Sequence, residues 1–150
     1  MNSPARELPT IAVAMGDPAG ISPELLARLL AEPDIRPIAK FVIFGDPRVL
    51  AMGAKVAGTD PDVMTVKPDA ALPADPKRPV LVDLANIYPG GVTLGKATLA
   101  GGKFATENFR RALRMAASGE ADAVFFTPFN TALWGSLNPA TDTILREIAI

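Results

Sequence analysis

The sequence contains no cysteine and no histidine among its 150 residues. Without cysteine the chain has neither a disulfide framework nor a thiolate nucleophile, and we expect a cytoplasmic location. Histidine is the commonest metal ligand and general base in proteins, so a metal site here would need oxygen ligands or completion by another chain. The residues alone therefore assign no catalytic residue and no metal ligand.

Charge of one sign and long apolar runs are also lacking. The chain has 15 Lys and Arg against 16 Asp and Glu, a formal net charge of −1. A nucleic-acid partner would call for a basic face, so we expect none. The apolar runs fall far short of the roughly 20 residues that cross a bilayer, and polar residues 1–7 do not resemble a secretory signal. We expect no membrane partner.

Short apolar runs alternate with amphipathic stretches along the chain. The predicted strands are Thr10–Met15, Lys40–Phe44, Val63–Val66, Pro79–Leu84 and Ala121–Phe126. The predicted helices begin at Ser22, at Asp46, near Lys103 (ending near Ser118, with Gly119 as cap) and near Thr141. This alternation predicts a single α/β domain over residues 1–150, with a mostly parallel sheet flanked by helices.

The first two helices carry clear start signals. Ser22 is predicted to cap the first helix, with Pro23 at its first position, and Asp46 is predicted to cap the second. The apolar stripe of the first helix is predicted to be Leu25, Leu26, Leu29 and Leu30. The buried side of the second is predicted to be Val49, Leu50, Ala54 and Val56.

Ligands of parallel sheets bind beyond the carboxyl ends of the strands, which directs attention to three loops. These are Gly16–Ser22, Gly45–Asp46 and Thr127–Asn130. In the first loop, glycines allow close approach of a ligand, and amides at a helix start attract phosphate or carboxylate. The alternative is a tight turn before a capped helix. The glycine spacing fits neither a Rossmann fingerprint nor a Walker loop.

The candidate residues for binding a cofactor or substrate are Gly16, Asp17, Gly20, Ser22, Thr127 and Asn130. For Asp17, and for Thr127 with Asn130, ordinary turn chemistry is an equally valid interpretation. Arg110, Arg111 and Arg114 are predicted to form a solvated helix face rather than a phosphate site. Trp134, with Leu133 and Leu137, is either core or an interface patch.

Four motifs in collinear order carry a family resemblance. They are Met15–Glu24 (MGDPAGISPE), Val42–Pro47 (VIFGDP), Ser118–Val124 (SGEADAV) and Thr127–Asn130 (TPFN). Together they resemble the amino-terminal half of 4-hydroxythreonine-4-phosphate dehydrogenases, within the isocitrate and isopropylmalate dehydrogenase-like group. The resemblance covers roughly residues 10 to 130, and it implies the first domain of that fold.

The resemblance implies an NAD-dependent dehydrogenase that uses a divalent metal. Such enzymes oxidise and decarboxylate a small phosphorylated hydroxy acid in pyridoxal phosphate biosynthesis, and they are homodimers when full length. The loop Gly16–Ser22 would lie near cofactor or substrate, and Thr127 with Asn130 near substrate. The family holds its metal with histidines of a later domain. We therefore expect the second, metal-binding domain to be absent and the chain to be incomplete for catalysis.

Two departures from the family pattern keep alternatives open. Ser22 stands where glycine is usual, similar to catabolic relatives that act on other four-carbon phosphorylated hydroxy acids. Thr131 stands where a lysine is expected. Because family members are about twice this length, we expect the chain to be a fragment, a truncated gene product, an engineered domain or an internal deletion of such an enzyme. Alternatively, it is a non-catalytic α/β module for binding or dimerisation, or a small phosphate-binding protein that uses the amides of the first loop.

Overall fold

The computed structural model describes residues 7–130, in which strands and helices alternate as the sequence predicts. The predicted helix near Thr141 and the cluster around Trp134 lie outside the described residues. The strands are β1 (Thr10–Ala14), β2 (Lys40–Gly45), β3 (Met64–Val66), β4 (Val80–Asp83) and β5 (Ala123–Phe126). The helices are α1 (Ser22–Ala31), α2 (Pro47–Ala57) and α3 (Leu99–Ala117), with short 3-10 turns at Pro33–Ile35 and Pro89–Gly91.

The five strands form one parallel sheet in the order β3-β4-β2-β1-β5. β1 therefore lies between β2 and β5, which are far apart in sequence. The parallel α/β class predicted from the alternation of elements is confirmed. Since all strands point the same way, their carboxyl ends lie along one edge of the sheet.

Alternate residues of the strands face two separate apolar layers. On one side, Val13, Ile43 and Leu81 pack with buried residues of α1 and α2. On the other, Ala14, Phe44 and Val82 pack with buried residues of α3. The near-continuous apolar runs follow from this arrangement, because both faces of the central strands are covered. Within residues 7–130, no helix combines the length and apolar character that crossing a membrane requires.

The buried faces of α1 and α2 differ from the predicted stripes. Leu25 is 39% exposed and Val56 is 59% exposed, so both predictions were wrong. The two helices meet at Gly53, where an added Cβ would lie 2.2 Å from the backbone of Pro23. In each helix a small residue lies on the buried side: Ala27 in α1 and Gly53 in α2.

The longest helix begins earlier than predicted. α3 starts at Leu99, four residues before Lys103, because the Thr98 hydroxyl accepts a hydrogen bond from Gly101 N at 3.1 Å. A glycine pair in the first turn is a poor helix signal, and the cap offsets its low propensity. The helix ends at Ala117, and Gly119 follows with φ of +80°, as a helix-ending glycine does.

Candidate functional site

The loops that follow β1 and β5 run together at the carboxyl edge of the sheet. Thr127 N donates to Ala14 O at 3.1 Å, and Asp17 N donates to Pro128 O at 3.0 Å. The approach is close, since a Cβ on Gly16 would lie 2.3 Å from the carbonyl oxygens of Thr127 and Pro128. Glycine is therefore required at position 16. Two loops about 110 residues apart in sequence share one backbone-paired surface.

Ser22 is the first residue of α1, and its hydroxyl does not cap that helix. The predicted cap was wrong because the side chain has a long-range partner. Gly16 N donates to Ser22 Oγ at 2.9 Å and also to Thr127 Oγ1 at 2.9 Å. The two hydroxyl oxygens lie 2.5 Å apart. Both residues are buried, at 0% and 2% exposure.

Asp17 holds the turn that follows Gly16. Its Oδ1 accepts a hydrogen bond from Ala19 N at 2.9 Å, and Gly20 N donates to the Asp17 carbonyl at 3.3 Å. The turn chemistry that the sequence allows is thus present. The amides of Gly16, Asp17, Ala19 and Gly20 all donate to acceptors within the protein. A phosphate held by these four amides is therefore not supported.

A small cavity lies between the paired loops and the start of α3. Its volume is about 10 Å³, room for one water molecule. The lining residues are Asp17, Gly101, Gly102, Ala105, Thr106, Phe109, Phe129 and Asn130. The structure thus brings two predicted residues, Asp17 and Asn130, to one cavity. Gly16, Ser22 and Thr127 are not among the residues that line it.

Gly20 is not brought to this cavity. It lines a separate, mostly apolar cleft of about 320 Å³ beside α1 and α2, together with Ala19, Met52 and Val56. The predicted set therefore divides into three parts. One pair lines the cavity, three buried residues join the loops, and one glycine faces a different surface.

The third predicted loop, Gly45–Asp46, carries an ion pair. Asp46 caps α2 as predicted, accepting from Arg48 N at 2.9 Å, and it also pairs with the Arg48 guanidinium at 2.9 and 2.6 Å. Burial alone would raise the pKa of Asp46. The hydrogen bonds from Arg48, with its charge and the Val49 amide, outweigh burial and hold the pKa below its ordinary value. The Arg48 guanidinium also donates to Ile87 O at 3.0 Å.

Comparison with known protein families shows to which family the chain belongs. The family model described as pyridoxal phosphate biosynthetic protein PdxA matches residues 37–142, more than half of the chain. The chain belongs to the PdxA family. The family resemblance inferred from the four motifs is confirmed.

Two curated relatives of the PdxA family illustrate the range of names. A protein of Rhizobium meliloti (strain 1021), named "Putative 4-hydroxythreonine-4-phosphate dehydrogenase 2", is 53% identical over 94% of this chain and 40% of its own length. A protein of Symbiobacterium thermophilum, named "Putative D-threonate 4-phosphate dehydrogenase", is 32% identical over 81% of this chain and 36% of its own length. The chain thus spans well under half of either relative.

A crystal structure of the same family supports the fold. The 4-hydroxythreonine-4-phosphate dehydrogenase from Burkholderia phymatum matches 95% of this chain and 44% of its own, with a TM-score of 0.79 and 23% sequence identity. At that identity the likeness shows the fold alone. The five-stranded parallel sheet is therefore an architecture that a PdxA-family enzyme shares.

One residue that matters to the site was missed from the sequence. Asn108, on α3, is fully buried. It donates to Met15 O at 2.9 Å and accepts from Asn86 Nδ2 at 3.0 Å. It thus ties the end of β1 to the loop after β4, in which Ala85 has a φ of +46°. The available signal was a polar residue four positions after Phe104, inside the apolar stripe of a helix.

The described residues do not fit a divalent metal. Residues 7–130 contain no group of three or more acidic side chains close enough to hold an ion, and the whole sequence has no histidine. Two arginines of the predicted basic face share one carboxylate: Arg110 Nη1 and Arg111 Nε lie 3.6 and 3.3 Å from the Glu107 oxygens.

Proposed function

We propose that this chain supplies the first-domain side of the ligand site in an NAD-dependent and divalent-metal-dependent dehydrogenase. The substrate class is a phosphorylated four-carbon hydroxy acid such as 4-hydroxythreonine 4-phosphate, which is oxidised and decarboxylated. The observation that carries the proposal is the pairing of the Gly16 and Thr127 loops at the carboxyl ends of β1 and β5. Parallel α/β sheets bind ligands at this edge.

Asp17 and Asn130 are the residues that we assign to ligand contact. They line one cavity on opposite loops, beside the start of α3. A carboxylate and an amide offer acceptors and a donor for substrate hydroxyl and amino groups. The amides of Gly16, Asp17, Ala19 and Gly20 already donate within the protein, so we assign no phosphate contact to them. No residue of the described range is assigned as a general base.

Ligand-induced stabilisation tests the proposal. A ligand that binds only the folded chain at 100 times its Kd adds about 2.7 kcal/mol. We expect NAD or 4-phosphooxy-threonine to raise the Tm of the 150-residue chain, and we expect Asp17→Asn and Asn130→Ala to reduce that rise. Lys103→Ala, an exposed change on α3 outside the cavity, is the matched control. A Tm unchanged by either ligand at millimolar concentration would favour a non-catalytic α/β module instead.

A catabolic substrate is the second candidate. Ser22 stands where the family resemblance leads us to expect glycine, and a relative carries the name D-threonate 4-phosphate dehydrogenase. If this candidate is right, D-threonate 4-phosphate should raise the Tm more than 4-phosphooxy-threonine does at equal concentration. The reverse ranking would favour the biosynthetic substrate.

Three further parts of the proposal concern the longer protein. We propose that residues 1–150 form one α/β domain, and that a separate domain supplies the metal ligands. We also propose that the full-length protein is a cytoplasmic homodimer. Sedimentation of the 150-residue chain beside the full-length relative would test the dimer, since a dimer surface in the second domain leaves the shorter chain monomeric.

A further inference from the structure

The hydroxyl groups of Ser22 and Thr127 are not used by their own secondary structure elements. α1 begins with no side-chain cap, so the Ser22 hydroxyl does not serve that helix. Thr127 follows the end of β5, where its backbone amide already bonds Ala14 O. Both side chains are buried, and a buried hydroxyl costs free energy unless it is hydrogen-bonded. Their partners therefore indicate their role.

Those partners are each other, the Gly16 amide and, for Thr127 Oγ1, the Ala14 carbonyl oxygen, to which the hydroxyl donates at 3.5 Å. The Ser22 and Thr127 oxygens are 2.5 Å apart, and the Gly16 N–H lies 2.9 Å from each of them. This closed set of contacts joins three separate segments of chain: the end of β1, the start of α1 and the end of β5. Since each hydroxyl is buried and already bonded, neither is placed to bind a ligand.

We propose that Ser22 and Thr127 are positioning residues that form a hydroxyl clasp. The clasp holds the loops 16–22 and 127–130 as one rigid unit. Through it, Asp17 and Asn130 stay at a fixed separation across the cavity that they line. That this cavity is a ligand site rests on the proposed function, whereas the clasp itself does not.

Ser22 sets the strength of the clasp. With glycine at this position, Gly16 N would keep its bond to Thr127 Oγ1 and lose the one to Ser22 Oγ. The clasp would then keep two side-chain hydrogen bonds, both of Thr127 Oγ1, in place of four. Family members with glycine here should therefore have a looser first loop than this chain.

Amide hydrogen exchange of the 150-residue chain, measured by NMR without ligand, tests the clasp. Loss of a hydrogen bond worth about 1.4 kcal/mol corresponds to a tenfold change in an opening equilibrium. We expect Ser22→Ala and Thr127→Val each to speed exchange at Gly16 and Asp17 about tenfold relative to Ile43 in β2. The double variant should fall short of the product of the two factors, since both single variants lose the same hydroxyl–hydroxyl bond. Thr127→Ser should retain the original exchange rate.

Three outcomes would overturn the clasp. Exchange at Gly16 could stay unchanged in Ser22→Ala, or it could rise only in parallel with Ile43, which would indicate a global loss of stability. Thr127→Ser could speed exchange as much as Thr127→Val, which would show that keeping the hydroxyl is not sufficient and would assign the effect to side-chain packing at position 127.

A second measurement separates the clasp from the proposed function. If the unaltered chain binds NAD or 4-phosphooxy-threonine, Ser22→Ala should weaken that affinity several-fold, and equal affinity would refute positioning. If the unaltered chain binds neither ligand, the proposed function fails, and the exchange rates still decide whether the clasp exists.

Discussion

At the scale of single residues, the two glycines of the first loop differ in what surrounds them. A Cβ on Gly16 would lie 2.3 Å from two backbone carbonyl oxygens, whereas a Cβ on Gly20 would meet Asp17 at an ordinary 3.6 Å. We expect Gly16→Ala to destabilise the protein by about 1–3 kcal/mol, because backbone must shift to admit the methyl group. Urea denaturation would measure the loss.

Gly20→Ala is the matched control for that variant. Gly20 lies in the same loop and is exposed, and an added Cβ would make only ordinary contacts there. We therefore expect the free energy of unfolding to change by no more than about 0.5 kcal/mol. Equal losses from the two variants would show that the loop tolerates a side chain at neither position. The close approach at Gly16 would then have no special role.

The contribution of Asp46 to the stability of the fold depends on pH. Its pKa is lower in the folded protein than the unfolded value of about 3.9. The charged form therefore stabilises the fold above that value, and this contribution is lost as pH falls through the lower, folded pKa. We expect Asp46→Asn to be about 1 kcal/mol less stable at pH 7, and to lose less stability than the unaltered chain below pH 4.

The comparison for Asp46 is made between urea midpoints at pH 7 and pH 3. The remaining carboxylates are the same in both proteins, so the difference between the two curves isolates position 46. Asp46→Ala, which also removes the cap of α2, should cost a further 0.5–2 kcal/mol, roughly the value of a helix cap. Parallel pH curves for Asp46→Asn and the unaltered chain would contradict the assigned role.

At the scale of elements, the buried side-chain amide of Asn108 links α3 to the residue that follows β1, Met15. Asn108→Leu keeps the approximate volume of the side chain but leaves Met15 O without its donor. An unsatisfied buried polar group costs about 1–3 kcal/mol, and we expect a loss of that size in the free energy of unfolding. Asn86→Ala should cost less, since it leaves the Asn108 bond to Met15 O in place.

Exchange of the Gly16 amide provides the second measurement for α3. If Asn108 orders the end of β1, Asn108→Leu should speed exchange of the Gly16 amide more than exchange of the amides in β4. Equal stability of Asn108→Leu and the unaltered chain would mean that Asn108 merely fills space.

The elements that the sequence predicted well are those with local signals. Asp46 and Pro47 mark the start of α2, and apolar runs mark the strands, because both signals depend on neighbours a few residues away. Ser22, Leu25 and Val56 were assigned wrongly for the opposite reason. Their surroundings depend on contacts with Thr127 and on the α1–α2 approach at Gly53, which no local pattern encodes.

At the scale of the whole molecule, the central strand couples the two apolar layers. Ile43 of β2 is fully buried, whereas Met64 begins the edge strand β3 and is partly exposed. We expect Ile43→Ala to cost about 2–5 kcal/mol and to lower the urea midpoint of the entire transition. Met64→Ala should cost clearly less. Comparable losses would indicate that β3 belongs to the core as fully as β2.

The sequence by itself determined the parallel α/β class, the order of the elements, the family and the three loops worth inspecting. These follow from periodicity and motifs, which are properties of contiguous residues. Only the tertiary structure decided that β5 lies beside β1, that Gly16 bonds both Ser22 and Thr127, and that Asn108 holds Met15. The physical reason is that a buried polar group takes its partner from whichever segment the sheet places beside it, however distant in sequence.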